Sequence, residues 1–176
     1  MRFIPTSLND AWLIELQPHE DARGFFSRIF CREEFQEHDL DPHIAQINLS
    51  HSKHKHTLRG FHYQEGLAAE AKTVRCIRGR ILDMIIDLRP ESKTRYGHFQ
   101  AELSARNRRA LHVPKGFAHA FLSLEPDCEV LYTVSHPYSP EDERGIRWDD
   151  PFFAISWPTR RPILSEKDAE WPDFIP

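Results

Sequence analysis

A chain of 176 residues, 40% hydrophobic and 28% charged, can bury a core of useful size and suits a single domain spanning residues 1–176. A formal net charge of -4 supplies no general basic field, which excludes nucleic acid as a main partner. The apolar runs are far shorter than a membrane span and the N-terminus carries no signal-peptide pattern, so the expectation is a cytoplasmic protein without membrane contact. Three widely spaced cysteines, Cys31, Cys76 and Cys128, make neither a disulfide framework nor a zinc knuckle. They read as ordinary buried thiols in a reducing compartment. Twelve Phe against two Met favour a stiff, aromatic-rich pocket.

In chain order, residues 11–16 read as a strand, followed by a polar stretch to a turn at Arg23-Gly24. Residues 25–30 form a second short strand, with Phe26 and Arg28 on one face. Residues 31–38 are the helix candidate, two turns at most, with Glu33 and Glu34 early. Residues 44–49 are a strand that places Gln46 and Asn48 on a common face. The tract His51-Ser-Lys-His-Lys-His56 has a metal-binding composition but reads as a solvated basic loop. The strand at residues 57–64 carries Gly60, His62 and Gln64 on one face, and residues 67–71 form a loop beside it. From residue 72 to 88 the pattern is strongly β, broken at Arg78-Gly79-Arg80 as by a hairpin turn. Asp83 and Asp87 alternate with apolar neighbours there. A strand at residues 99–103 follows, then a second apparent hairpin, residues 120–124 and 129–135 around Pro126-Asp127. About ten closely spaced strands signal a sandwich or barrel, over which the Pro-, Trp- and Asp-rich tail beyond Pro140 packs as irregular structure.

Two motifs give the barrel a chemistry. Gly60-x-His62-x-Gln64, then Lys72, then Gly79 resembles the first metal-binding motif of cupins, small β-barrel proteins. In that motif a His-x-His pair and a glutamate hold the ion. Here Gln64 stands for the second histidine and Lys72 for the glutamate. An ammonium has no lone pair and repels a cation, so no metal and no other cofactor is expected. Pro114-x-Gly-x-x-His119 matches the second cupin motif. His119 reads either as a satisfied core histidine or as a pocket-lining one. One histidine beside one fixed cation suits proton abstraction next to a carbonyl, where the charge left behind is an oxyanion. Asp168, returned by the tail, is a candidate to orient His62.

The whole chain resembles one family. Arg23-Gly-Phe-Phe26, Gln46-x-Asn48-x-Ser50, Leu58 to Gln64, Lys72-x-Val-Arg-Cys76, Pro114 to His119, Glu129 to Tyr132, Tyr138-x-Pro140, Gly145 to Pro151, Trp157-Pro158 and Leu164 to Asp168 are similar, in order, to the dTDP-4-dehydrorhamnose 3,5-epimerases. The resemblance implies a mainly β, cupin-type antiparallel barrel (jelly roll) with a few short helices. It also implies a homodimer, no metal, and a nucleotide-linked 4-keto-6-deoxy sugar as substrate. By that resemblance His62 is the proton acceptor, Asp168 its partner, and Lys72 the group that stabilises the enolate. Tyr132 is the proton donor, and Tyr138 a second phenol nearby. Arg23, Phe26, Gln46, Asn48, Arg59, His119, Glu143 and Lys167 match positions that contact substrate or nucleotide. Strict alternation puts Arg59 on the face opposite His62, so either a bulge at Gly60 re-aims it or its match to the family position does not carry over. Arg28 stands where many relatives have a nucleotide-contacting glutamate, the loop after Asn48 is one residue longer than in the best-known members, and His56 replaces a common turn glycine. These departures leave open an epimerase that acts on a single carbon of another 4-keto sugar. A non-catalytic sugar-nucleotide-binding cupin and a metal-dependent oxygenase are the rivals from other classes.

Overall fold

Alternating burial sorts the strands into faces. Along Arg80–Asp87, Ile81, Asp83, Ile85 and Asp87 point one way while Leu82, Met84 and Ile86 point the other. The computed structural model describes residues 1–176. It contains strands β1 (Arg2–Pro5), β2 (Trp12–Glu15), β3 (His19–Asp21), β4 (Gly24–Phe26), β5 (Gln46–Ser52), β6 (Leu58–Gln64), β7 (Lys72–Arg78), β8 (Arg80–Asp87), β9 (His98–Ser104), β10 (Ala110–Val113), β11 (Phe117–Ser123), β12 (Cys128–Val134) and β13 (Glu143–Gly145). Two short α-helices, α1 (Arg32–Gln36) and α2 (Glu166–Ala169), and one 3-10 turn at Gly66–Ala68 complete the set.

Eleven strands form two antiparallel sheets, of order β1-β2-β10-β7-β12-β5 and β13-β6-β11-β8-β9. β3 and β4 pair apart from both as a small ribbon. The two sheets exchange no ladder, so the jelly roll is a face-to-face sandwich rather than a hydrogen-bonded closed barrel. Val74, Leu111 and Val130 of one sheet meet Ile81, Ile85, Leu103 and Phe121 of the other in the main core. Each such side chain contributes about 1.5–3 kcal/mol of burial. A second cluster, built on Phe61, Met84, Ile86 and Ala120, covers the outer face of the five-stranded sheet and is roofed by Ile146, Phe153 and Trp157 of the C-terminal segment. A third packs Phe35 of α1 against Ile14 and Ala110.

Several expectations are corrected here. β7 and β8 lie in different sheets, so the Gly79 turn (φ +75°) is a crossover and not a hairpin. β11 and β12 are likewise in opposite sheets, and Pro126-Asp127 carries the chain across. Residues 19–21 form β3 where only a turn was expected, and β4 ends at Phe26 rather than residue 30. His51 and Ser52 extend β5 instead of starting a loop, because both pair with β12. The tail contains β13 and α2. Of the thiols, Cys76 and Cys128 are buried, but Cys31 is partly exposed at the start of α1. No helix is long and apolar enough to cross a membrane.

Candidate active site

The inner faces of β5, β6, β7 and β12 turn polar towards one end of the sandwich, where two adjoining cavities of about 360 and 260 Å³ open. His62, Lys72 and Tyr132 line both. β6 reaches this arrangement through an irregularity. His119 faces His62 and Phe121 faces Arg59, so β6 spends two residues, Gly60 and Phe61, where β11 spends one. The bulge restores Arg59 to the side of His62, and Arg59 lines the smaller cavity. Only glycine fits at its corner: Gly60 has φ +113°, and a Cβ there would sit 2.5 Å from the His119 carbonyl oxygen.

The tail supplies the partner of His62. α2 is capped by Ser165, whose side-chain oxygen accepts from the Asp168 N–H at 3.1 Å, and this cap sets Asp168 against β6. His62 Nε2 lies 2.5 Å from Asp168 Oδ1, and the Gly60 N–H points at Oδ2. Burial pushes the Asp168 carboxyl up, but the bond and charge of His62, with Ser165 and Gly60, hold it below the ordinary carboxylate range. An anionic Asp168 keeps the proton on Nε2 and leaves Nδ1 as the accepting nitrogen.

In the same cavity Lys72 Nζ pairs with Glu70 Oε1 at 2.9 Å, the carboxylate buried and the ammonium largely so. The Tyr132 phenol is pushed above its ordinary value by burial, opposed by Arg59 and reinforced by the Glu70 charge, so it stays protonated. His119 both lines the cavity and is satisfied in the core, since its Nε2 meets the two oxygens of Asp83 at 3.1 and 3.0 Å. Asp83 is fully buried; burial raises its carboxyl against the pull of His119 and Lys72.

At the mouth, Tyr138 Oη donates to Glu143 Oε2 at 2.6 Å, and Lys167 Nζ binds the same oxygen. Burial is outweighed at Glu143 by these two partners, which lower its carboxyl. Gln46 and Asn48 line the larger cavity, and Gln46 Oε1 accepts from the Tyr138 N–H. Arg23 and Phe26 are not brought there. They sit on the exposed β3–β4 ribbon, Phe26 74% exposed and Arg23 paired with Asp21 at 2.6 Å. Arg28 binds Glu34 at 2.8 Å, away from the cavity. Glu70 and Asp83 were not among the expected site residues. Asp83 had a signal, an acid alternating within an apolar strand; Glu70 lay in a stretch taken for a loop.

Gln64, in the seat of a cupin histidine, is structural: its amide nitrogen donates to the Ala68 and Pro137 carbonyls, and its oxygen accepts from the Ser139 N–H at 2.6 Å. No three His, Cys, Asp or Glu side chains converge closely enough to hold a metal ion. Fold and site together define a cupin-type jelly roll whose cavities gather an imidazole paired with a carboxylate, an ammonium and a protonated phenol.

The sequence profile of the dTDP-4-dehydrorhamnose 3,5-epimerase family matches residues 5–175. The dTDP-4-dehydrorhamnose 3,5-epimerase of Methanothermobacter thermautotrophicus is 44% identical over 174 residues, covering 97% of this chain and 92% of that protein. Among solved structures, the Bacillus anthracis dTDP-4-dehydrorhamnose 3,5-epimerase with TDP and pyrophosphate bound superposes with a TM-score of 0.95 at 38% identity, covering 98% of this chain and 99% of that one. A 3'-monoepimerase from Streptomyces bikiniensis in complex with dTDP-quinovose gives a TM-score of 0.88 at 34% identity, covering 96% and 86%. The chain belongs to the dTDP-4-dehydrorhamnose 3,5-epimerase family.

Proposed function

We propose that this protein inverts C3 and C5 of a dTDP-linked 4-keto-6-deoxyhexose, in the cytoplasm, with no metal or other cofactor. The observation that carries the reading is the 2.5 Å His62–Asp168 contact in a cavity shared with Lys72 and Tyr132. The 4-keto group acidifies the hydrogens on both neighbouring carbons. His62 takes the proton, and the Lys72 ammonium stabilises the resulting enolate oxygen. General-base and oxyanion terms of this kind are each worth about 10²–10⁴ in rate. Tyr132 returns a proton from the far side of the ring. Tyr138 is the poorer donor, because its hydroxyl is committed to Glu143 at the cavity mouth. Arg59 and Lys167 supply charge for the pyrophosphate, and Gln46, Asn48, His119 and Glu143 position the ligand.

The reading includes a homodimer. The outer face of β5 exposes Ile47 and Leu49, each 61% accessible, and Phe26 of the ribbon is exposed as well. Pairing through this face gives Arg23 and Phe26 a neighbour's cavity to reach.

The test is deuterium wash-in from solvent, followed by NMR over a panel of 4-keto nucleotide sugars. Label at C3 and C5 with inversion at both is the expected result. Label at one carbon alone makes the protein a monoepimerase, and tight nucleotide binding with no label makes it a binding cupin.

A further inference from the structure

The helix that carries Asp168 is a single turn of four residues, Glu166–Ala169, too short to hold its own shape. Upstream the chain is pinned to the start of β6, where the Ile163 carbonyl accepts from the Leu58 N–H at 2.9 Å. Downstream, Phe174 joins the cluster over the outer face of the five-stranded sheet. Between these anchors, just past α2, comes Trp171. Its indole lies so close against Gly145 that a Cβ there would fall among the ring atoms. Gly145 is not in the left-handed region, so glycine stands there for room alone. It is also the ladder partner of His62. The next residue, Ile146, exchanges backbone hydrogen bonds with Phe61 and is 1% exposed, which makes this end of β13 a fixed surface. The indole Nε1 is buried with no hydrogen-bond partner, so packing and not a polar bond holds the ring. Lys167 Nζ lies 5.7 Å from the ring centroid, within cation–π range.

We propose that Trp171 is a positioning residue: seated on Gly145, its ring fixes α2 so that Asp168 meets His62 and Lys167 meets Glu143. The proposal rests on the epimerase reading, in which the His62–Asp168 pair is the base. Gly145 and His62 face each other on β13 and β6, so the surface that receives the indole and the strand that carries the imidazole form one ladder. A tail seated on that ladder returns its carboxylate to the same place. Without the ring, α2 is tied to β6 by the very side chains whose geometry it has to set. Misplacing a reacting group by about 1 Å costs about 10²-fold in rate.

The experiment follows deuterium exchange at C3 and C5, at saturating substrate, in wild type and five variants: Trp171→Ala, Trp171→Phe, Gly145→Ala, Asp168→Asn, and Trp171→Ala combined with Asp168→Asn. Trp171→Ala is expected to lower kcat by about 10- to 100-fold. Gly145→Ala displaces the ring without removing it and is expected to do the same. Trp171→Phe keeps an aromatic face over Gly145 and recovers most of the rate. The double variant exchanges within about threefold of Asp168→Asn, because the ring acts through the carboxylate it places. Cooperative urea unfolding reports that each variant is folded. A folded Trp171→Ala or Gly145→Ala with wild-type kcat overturns the proposal. So do losses that multiply in the double variant, which make the ring a general support, and a phenylalanine variant as slow as the alanine one. Absence of exchange at C3 and C5 in wild type instead overturns the epimerase reading itself.

Discussion

His62 can act as a base only while one ring nitrogen is held protonated and the other is bare, and the buried Asp168 enforces that division. His62→Ala is therefore expected to lose exchange at both carbons while dTDP affinity is kept. Tyr132→Phe is expected to slow inversion by about 10²–10³ and exchange far less, because abstraction does not need the far-side proton. Exchange and inversion monitored together by NMR decide this, and equal loss of both counts against the donor role. Lys72 was legible as a departure from a metal motif, and His62 as the histidine that motif keeps, since an ammonium in a ligand position announces different chemistry. Glu70 was not legible. Its meaning depends on being folded against Lys72, and no spacing rule encodes that.

β5 is an edge strand whose inner face carries Gln46 and Asn48 while its outer face offers Ile47 and Leu49 to solvent. Soluble proteins manage such edges by covering them. The proposed dimer predicts that replacing both residues, Ile47→Asp with Leu49→Asp, gives a monomer in light scattering where wild type is a dimer, and weakens dTDP binding as the neighbour's Arg23 and Phe26 are lost. A double variant that stays dimeric places the interface elsewhere. Strand positions were largely readable because alternation with period 2 survives in strands such as β5 and β9. Strand partners were not. A turn such as Arg78-Gly79-Arg80 looks the same whether the chain doubles back or crosses to the facing sheet, and the sheet assignments turned on that difference. The Gly60 bulge was inferable only because Arg59 and His62 were both needed on one side.

For the whole molecule, acid stability should depend on one buried imidazole away from the chemistry. His112, on the outer side of β10, is held down to about 4 by burial, with Asp41 opposing weakly, and its Nδ1 meets the Thr73 hydroxyl at 3.0 Å. The unfolded chain binds this proton near pH 6.5. Between those values the unfolded state holds a proton that the folded state excludes, so stability is full above about pH 6.5 and declines as pH falls towards about 4. The loss amounts to about 3 kcal/mol. Urea unfolding of wild type and His112→Gln across pH 7 to 4 is expected to show a shallower decline in the variant; parallel curves would assign the acid loss to other groups.

Gln64 has a consequence for engineering. Its amide staples together two backbone segments, at Ala68 and at Pro137–Ser139. Restoring an iron or zinc centre by exchanging Gln64 and Lys72 for histidine and glutamate would cut that staple and leave Glu70 without its cation. The ancestral-looking donors would then arrive in a cavity whose rim had come loose, so the way back to metal chemistry runs through rebuilding the loops before the ligands.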